Sequence, residues 1–171
     1  GRQWGTLHLP RIGQEVVVDF LEGDPDQPLI VGSVYNAQEM PPWGLPEHRT
    51  RSGVKSRSTL KGTPDDFNEL RFEDEKGKEH VYLHAQRDLL VAAERDHSAA
   101  VGRDEDVVIG RDQFVTVKGK IQQKVGGDVH VQTGGSYVAS ISGDLCFSYG
   151  GDRDESVKTK FAVEAGQEIH L

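Results

Sequence analysis

The chain has 171 residues, of which 35% are hydrophobic, and carries a formal net charge of −8. That apolar content is below the usual globular range and makes a poor single-chain core, so burial against other copies becomes attractive. The excess of carboxylates repels polyanions, which argues against nucleic acid and anionic membrane surfaces as partners.

Residues 1–36 predict strands: GTLHLP, the continuous apolar run EVVVDFL, and PLIVGSVYN. The loop EGDPDQP joins the second and third, with Gly23 and Pro25 as turn residues. Residues 37–66 predict an irregular linker, because Pro41, Pro42 and Pro46 interrupt pairing and RTRSGVKSRSTLKG is basic and serine-rich. Residues 67–92 predict a β-hairpin connector, with NELRFED and EHVYLHA flanking the turn EKGK.

From about residue 86 a period of eight takes over, and it fills residues 93–171. With the positions of each octad lettered a to h, column a holds Val101, Ile109, Val117, Val125, Thr133, Ile141, Tyr149, Val157 and Ala165. Column d is nearly all charged: Asp104, Asp112, Lys120, Asp128, Asp144, Asp152, Lys160 and Glu168, with Ser136 between. Columns e and g are mixed but often apolar, ending at Ile169 and Leu171. Eight is a multiple of two, so a, c, e and g share one face of an extended chain. A helix would lose that stripe, since eight residues at about 100° drift by roughly 80° per repeat. Column c holds Gly119, Gly127, Gly135, Gly143 and Gly151. These are expected at corners, where glycine leaves room for whatever lies opposite and tolerates a positive φ. Strand, corner, strand, corner is the plan of a β-solenoid.

Two architectures satisfy this pattern. One chain coiling alone would make a three-turn stub ~15 Å tall at the usual strand spacing. Three chains wound about one axis would make a prism roughly 43 Å long, hiding the strand edges that the stub leaves open. In the second form the core is collective. Its expected members are Val101, Ile109, Val117, Ile121, Val125, Val129, Val131, Tyr137, Ile141, Leu145, Phe147, Val157, Phe161 and Val163.

PRIGQEVVVDFLEGDPDQPLIVGSVYN at 10–36 resembles the end of the OB domain of the VgrG family, the spike proteins of bacterial type VI secretion systems. KSRSTLKG at 55–62 and NELRFEDEKGKEHVYLHAQRDL at 68–89 are similar to the segment joining that barrel to the needle. The V-x-G octads at 117–151 resemble the intertwined trimeric needle shared with contractile-phage spikes. The resemblance implies an all-β fold: partial OB-fold strands, a hairpin, then an intertwined, triple-stranded β-helix in a homotrimer. It implies a C-terminal fragment, beginning partway through the barrel and ending in mid-octad before the tip. It also implies an inner-tube hexamer at the base, a PAAR-repeat protein at the tip, effector cargo and transient contact with a target membrane. Export would be by the secretion apparatus, and no basic-then-apolar leader is present in the sequence.

Departures from the octad rule are local. Arg103, Arg111, Thr159 and Gln167 stand in column c, and Glu105, Gln113, Gln123, Arg153 and Glu155 are nominally inward. Buried charges repeated three times are costly unless paired, so a bulge or loop is expected near 150–156.

No constellation for catalysis, cofactor binding or metal binding stands out. His80 and His84 share a strand face but lie roughly 13 Å apart by strand rise, too far to share a metal. His130 and His170 fall in the outward column f, and His97 in column e, where an axial ring is conceivable. The Asp column repeats along an exposed edge with few aromatics, unlike a glycosidase carboxylate pair, although a phage-like solenoid that binds or degrades polysaccharide is the alternative reading. The sole cysteine, Cys146, excludes an intrachain disulfide and reads as a small filler residue. The basic run HRTRSGVKSR is expected to pack across neighbouring subunits; an OB-type nucleic-acid site would need more aromatic stacking partners. No apolar run approaches the roughly 18–20 residues of a membrane span.

Overall fold

Backbone pairing begins where the first β-branched run does. The computed structural model describes residues 2–167. Three consecutive valines at 16–18 favour a pleated strand, and β1 (Glu15–Phe20) pairs antiparallel with β2 (Pro28–Val34). A bulge between Val17 and Val18 shifts the register, and a 3-10 turn over Leu21–Gly23 reverses the chain, with Gly23 at φ 76°. Asp24 braces this loop by accepting from the Asp26 amide and the Gln27 side chain at 3.0 and 2.8 Å.

The GTLHLP segment departs from expectation and forms no strand. A strand needs a neighbour for its N–H and C=O groups, and no segment among the described residues pairs with it.

A second sheet runs in the order β3 (Arg51–Lys55), β4 (Glu69–Glu73), β5 (His80–His84), all antiparallel. β4 and β5 are the expected hairpin, turning at Gly77 with φ 86°. β3 corrects the expectation of an irregular linker over residues 37–66, within which RSGVK lies. It has one apolar residue and no alternation, and what makes it a strand lies opposite it in β4. Arg51 faces Glu73, Lys55 faces Glu69, and Gly53 at φ 150° lies so close to Leu70 that a Cβ would run into its carbonyl oxygen.

Period-two alternation divides this sheet by chemistry. One face carries Val54, Leu70, Phe72, Val81 and Leu83, each 39–65% exposed. The other is polar. Glu69 accepts from Arg71 at 2.6 Å and pairs more loosely with Lys55 at 3.9 Å. Arg71 lies over the Tyr82 ring at 4.6 Å, and Lys55 over Phe67 at 3.8 Å.

The region after β5 contains no paired strand among the described residues, yet it is regular. Paired bends recur at 86–87, 94–95, 102–103, 110–111, 118–119, 126–127, 134–135, 142–143, 150–151, 158–159 and 166–167, always at octad positions b and c. Gln86 ties the first bend to the sheet, donating to Asp66 at 3.1 Å while its amide donates to Asn68 at 2.9 Å. The chain divides into two compact units, residues 1–104 and 105–171. It is all-β, with no α-helix among the described residues.

Neither unit has an apolar core. No hydrophobic side chain among the described residues is buried; the two residues that are buried are Glu69 and Glu73. The accessible area is 17,949 Å². A folded monomer of this mass exposes about 8,300 Å², so one copy leaves roughly twice the surface that a self-sufficient domain would.

Glu73 links this chain's own folding to pH. Its carboxylate accepts first from the Thr50 hydroxyl at 2.5 Å and then from Arg51 Nε at 2.9 Å, which holds its pKa at about 2, down from an ordinary 4.5. Folding therefore favours the ionised form. Its contribution is complete above pH 4.5 and is lost as pH falls toward about 2. Glu73→Gln is expected to melt lower than wild type at pH 6, and the gap should close between pH 4.5 and 2; thermal melts across that window check it.

Candidate functional site

The surface that calls for a function is the octad stripe. In column a, Val101, Ile109, Val117, Val125, Ile141, Tyr149 and Val157, each just before a bend, are 46–54% exposed. Columns e and g stand further out, with Ile121, Val129, Tyr137, Leu145 and Phe161 at 59–76% and Val107, Val115, Val131, Phe147 and Val163 at 58–75%. Within one copy these side chains stay more than half exposed. Ile169, Leu171, Glu168 and His170 lie outside the described residues.

The glycines behave differently from expectation in two respects. None of Gly119, Gly127, Gly135, Gly143 or Gly151 has a positive φ, and a Cβ at each would meet no atom of the same chain within 4 Å. The bends also form where column c holds an arginine, at Arg87, Arg95, Arg103 and Arg111. Glycine is thus not what bends the chain. If these positions exclude a side chain, the atom that does so belongs to another molecule.

Those four arginines make a charged ladder with their column-d neighbours. Arg87–Asp88, Arg95–Asp96, Arg103–Asp104 and Arg111–Asp112 pair at 3.2, 2.9, 2.9 and 2.8 Å. The arginine side chains are 90–91% exposed, so these pairs are solvated and contribute little to stability.

The expected bulge near 150–156 is absent. Bends at 150–151 and 158–159 keep the eight-residue spacing through YGGDRDES. The charges are accommodated instead by pairing: Arg153 donates to Glu155 two residues on, and this contact holds the Arg153 pKa above its usual value.

The remaining candidates stay apart. His80 Nδ1 contacts the Lys78 carbonyl at 2.9 Å and His84 Nδ1 that of Phe67 at 3.0 Å, with the Phe67 ring 4.6 Å from the His84 ring. His97 and His130 are exposed. Among the described residues no three metal-ligating side chains gather. Asp104 and Asp112 are engaged by their own arginines, and Asp128, Asp144 and Asp152 are exposed. Cys146 is exposed, so it fills nothing within its own chain. Of the basic run, Arg51 and Lys55 are spent on Glu73 and Glu69. What this stripe offers chemically is apolar surface to be buried.

A repeat-built, all-β chain with an uncovered apolar stripe belongs to the class of proteins that fold by joining others. Residues 52–170 match the bacteriophage T4 gp5 C-terminal trimerisation domain, and the chain belongs to that family. Residues 1–35 match the type VI secretion system/phage-baseplate injector OB domain.

Curated relatives agree with this assignment. Over 88 residues, 52% of this chain, it is 58% identical to the type VI secretion system spike protein VgrG1a of Pseudomonas aeruginosa, 14% of that protein's length. It is 57% identical over 88 residues to VgrG1c of the same organism, covering 12% of it. It is 53% identical over 88 residues to the actin cross-linking toxin VgrG1 of Vibrio cholerae, covering 8% of it. The matched segment is thus a small part of each of these relatives.

The column assignment is testable by a pair of neighbours. Val129→Lys places a charge in the stripe and is expected to abolish self-association, since it removes about 1.5–3 kcal/mol of burial per copy and adds an unpaired charge. His130→Lys, one residue on, is expected to leave the sedimentation profile unchanged.

Proposed function

We propose that three copies of this chain wind about one axis into a stiff β-prism, the needle of a type VI secretion puncturing spike. The uncovered stripe carries this reading. One copy has no buried hydrophobic side chain among its described residues, and its family is a trimerisation domain. Around a threefold axis, columns a, e and g of each octad close on one another, and the next octad stacks about 4.8 Å further along. The core residues are those of the stripe, from Val101 to Val163. Gly119, Gly127, Gly135, Gly143 and Gly151 admit the neighbouring backbone. Residues 1–36 supply part of the OB collar, 37–66 the linker, 67–92 the connector and 93–171 the needle.

The function is mechanical rather than enzymatic. Continuous inter-chain strand pairing would leave few soft modes along the axis, so a push at the base reaches the tip. In that role the base meets the inner-tube hexamer, the tip carries a PAAR-repeat cap, effectors travel with the spike, and contact with the target membrane is transient. The relatives VgrG1a and VgrG1c, type VI secretion system spike proteins, support the setting, and export would be by that apparatus.

Mass in solution tests the reading. A particle near ~57 kDa, three times the 18.9 kDa chain, is expected at all working dilutions; a stable single-chain particle would sink it. Gly127→Val is expected to dissociate or aggregate the protein, because overpacking costs about 1–3 kcal/mol per site and the layer repeats it three times. Asp128→Ala, on the outward column, is expected to shift the melting temperature by only a degree or two, roughly the effect of ±0.5 kcal/mol.

A further inference from the structure

The octads contain a charged layer that stiffness alone does not explain. In residues 149–156 columns e and g hold Arg153 and Glu155, whereas the octads on either side hold Leu145 with Phe147 and Phe161 with Val163. Arg153 pairs with Glu155, lies 5.4 Å from the Tyr149 ring and 5.8 Å from that of Phe147, and shares a groove with Phe161 and Val163. The two side chains are 50% and 45% exposed, against 90–91% for the ladder arginines of column c. This guanidinium is drawn onto the apolar stripe; the others reach into solvent.

We propose that Arg153 and Glu155 set the register of the assembled needle. The inference rests on the threefold reading above. Since each octad climbs one strand spacing, three copies of residues 149–156 would lie at one height. Their layer is three cations and three anions with no net charge, closed on both sides by apolar rings.

A guanidinium has five N–H donors, and one carboxylate meets at most two of them. The others find charged acceptors in the same layer, on the neighbouring copies' carboxylates. A slip of one octad puts Leu145 and Phe147, or Phe161 and Val163, in their place. The buried donors are then stranded, which is heavily unfavourable. Apolar layers give no such protection, because Val129 with Val131 is chemically close to Leu145 with Phe147 and one slides past the other. The charged pair therefore makes the needle less cohesive than an apolar layer would, and in return permits one alignment.

Cys146, the one cysteine of the chain, is exposed and lies in outward column f. A nitroxide on it lets dipolar spectroscopy read label-to-label distances on the full chain, while sedimentation reads mass. Wild type is expected at three chains with one narrow distance. Arg153→Met with Glu155→Leu is expected to keep three chains but to add longer distances, from copies offset along the axis by multiples of about 4.8 Å. Arg153→Met alone, which leaves Glu155 unpaired, is expected to dissociate at concentrations where wild type holds together. A double variant with one narrow distance overturns the proposal. So does a double variant that fails to assemble, since the pair would then supply cohesion, and so does a single variant as stable as wild type. A wild-type mass other than three chains sinks the threefold reading instead.

Discussion

Hydrophobic burial that one copy cannot achieve is the constraint on which the rest of this protein depends. A chain of this mass that folded by itself would remove about twice as much surface from water as this one does. The deficit is spread along the octads and the apolar face of the β3–β4–β5 sheet. An aliphatic side chain gains about 1.5–3 kcal/mol on burial, and here that gain is available only between molecules. Under the threefold reading folding and assembly become one event, as in obligate oligomers whose stability is inseparable from protomer concentration.

What the single copy does hold by itself is polar. The buried residues are glutamates on β4, gripped by Thr50, Arg51, Lys55 and Arg71. That arrangement makes β3 a strand despite its poor composition, while Gln86 separately ties the first bend to Asp66 and Asn68. The connector is therefore shaped by hydrogen bonds and ion pairs before any partner arrives. Its other face, Leu70 and Phe72 included, stays exposed. Directional contacts shape the monomer, and non-directional ones await the assembly.

Two kinds of octad follow from this division. The early ones carry Arg at position c beside Asp at d, solvated and paired within the chain; most later ones carry glycine at c, with no neighbour and no unusual backbone. The same bend accommodates both. Side-chain choice at c is thus free of local backbone demands, and under the threefold reading it answers to the space between copies. On the nominally inward columns e and g, Arg153 and Glu155 keep their charges by pairing with each other, whereas Glu105 stands there exposed.

The all-β class, the octad spacing and the stripe are legible in residue order alone, because a period of eight in an extended chain is written there directly. So are β1, β2, β4 and β5, whose β-branched runs and Gly77 turn are local signals. The rest emerges only from pairing in three dimensions. Residues 6–10 form no strand because pairing depends on a neighbour, and β3 forms because its partners are Glu69 and Glu73, distant in sequence. The octad glycines do not bend the chain, which required φ angles and neighbours to see. YGGDRDES holds the eight-residue spacing, with Arg153 and Glu155 paired inside it. Periodicity is local and legible in order alone; pairing and close approach are relations between distant atoms, and only coordinates contain them.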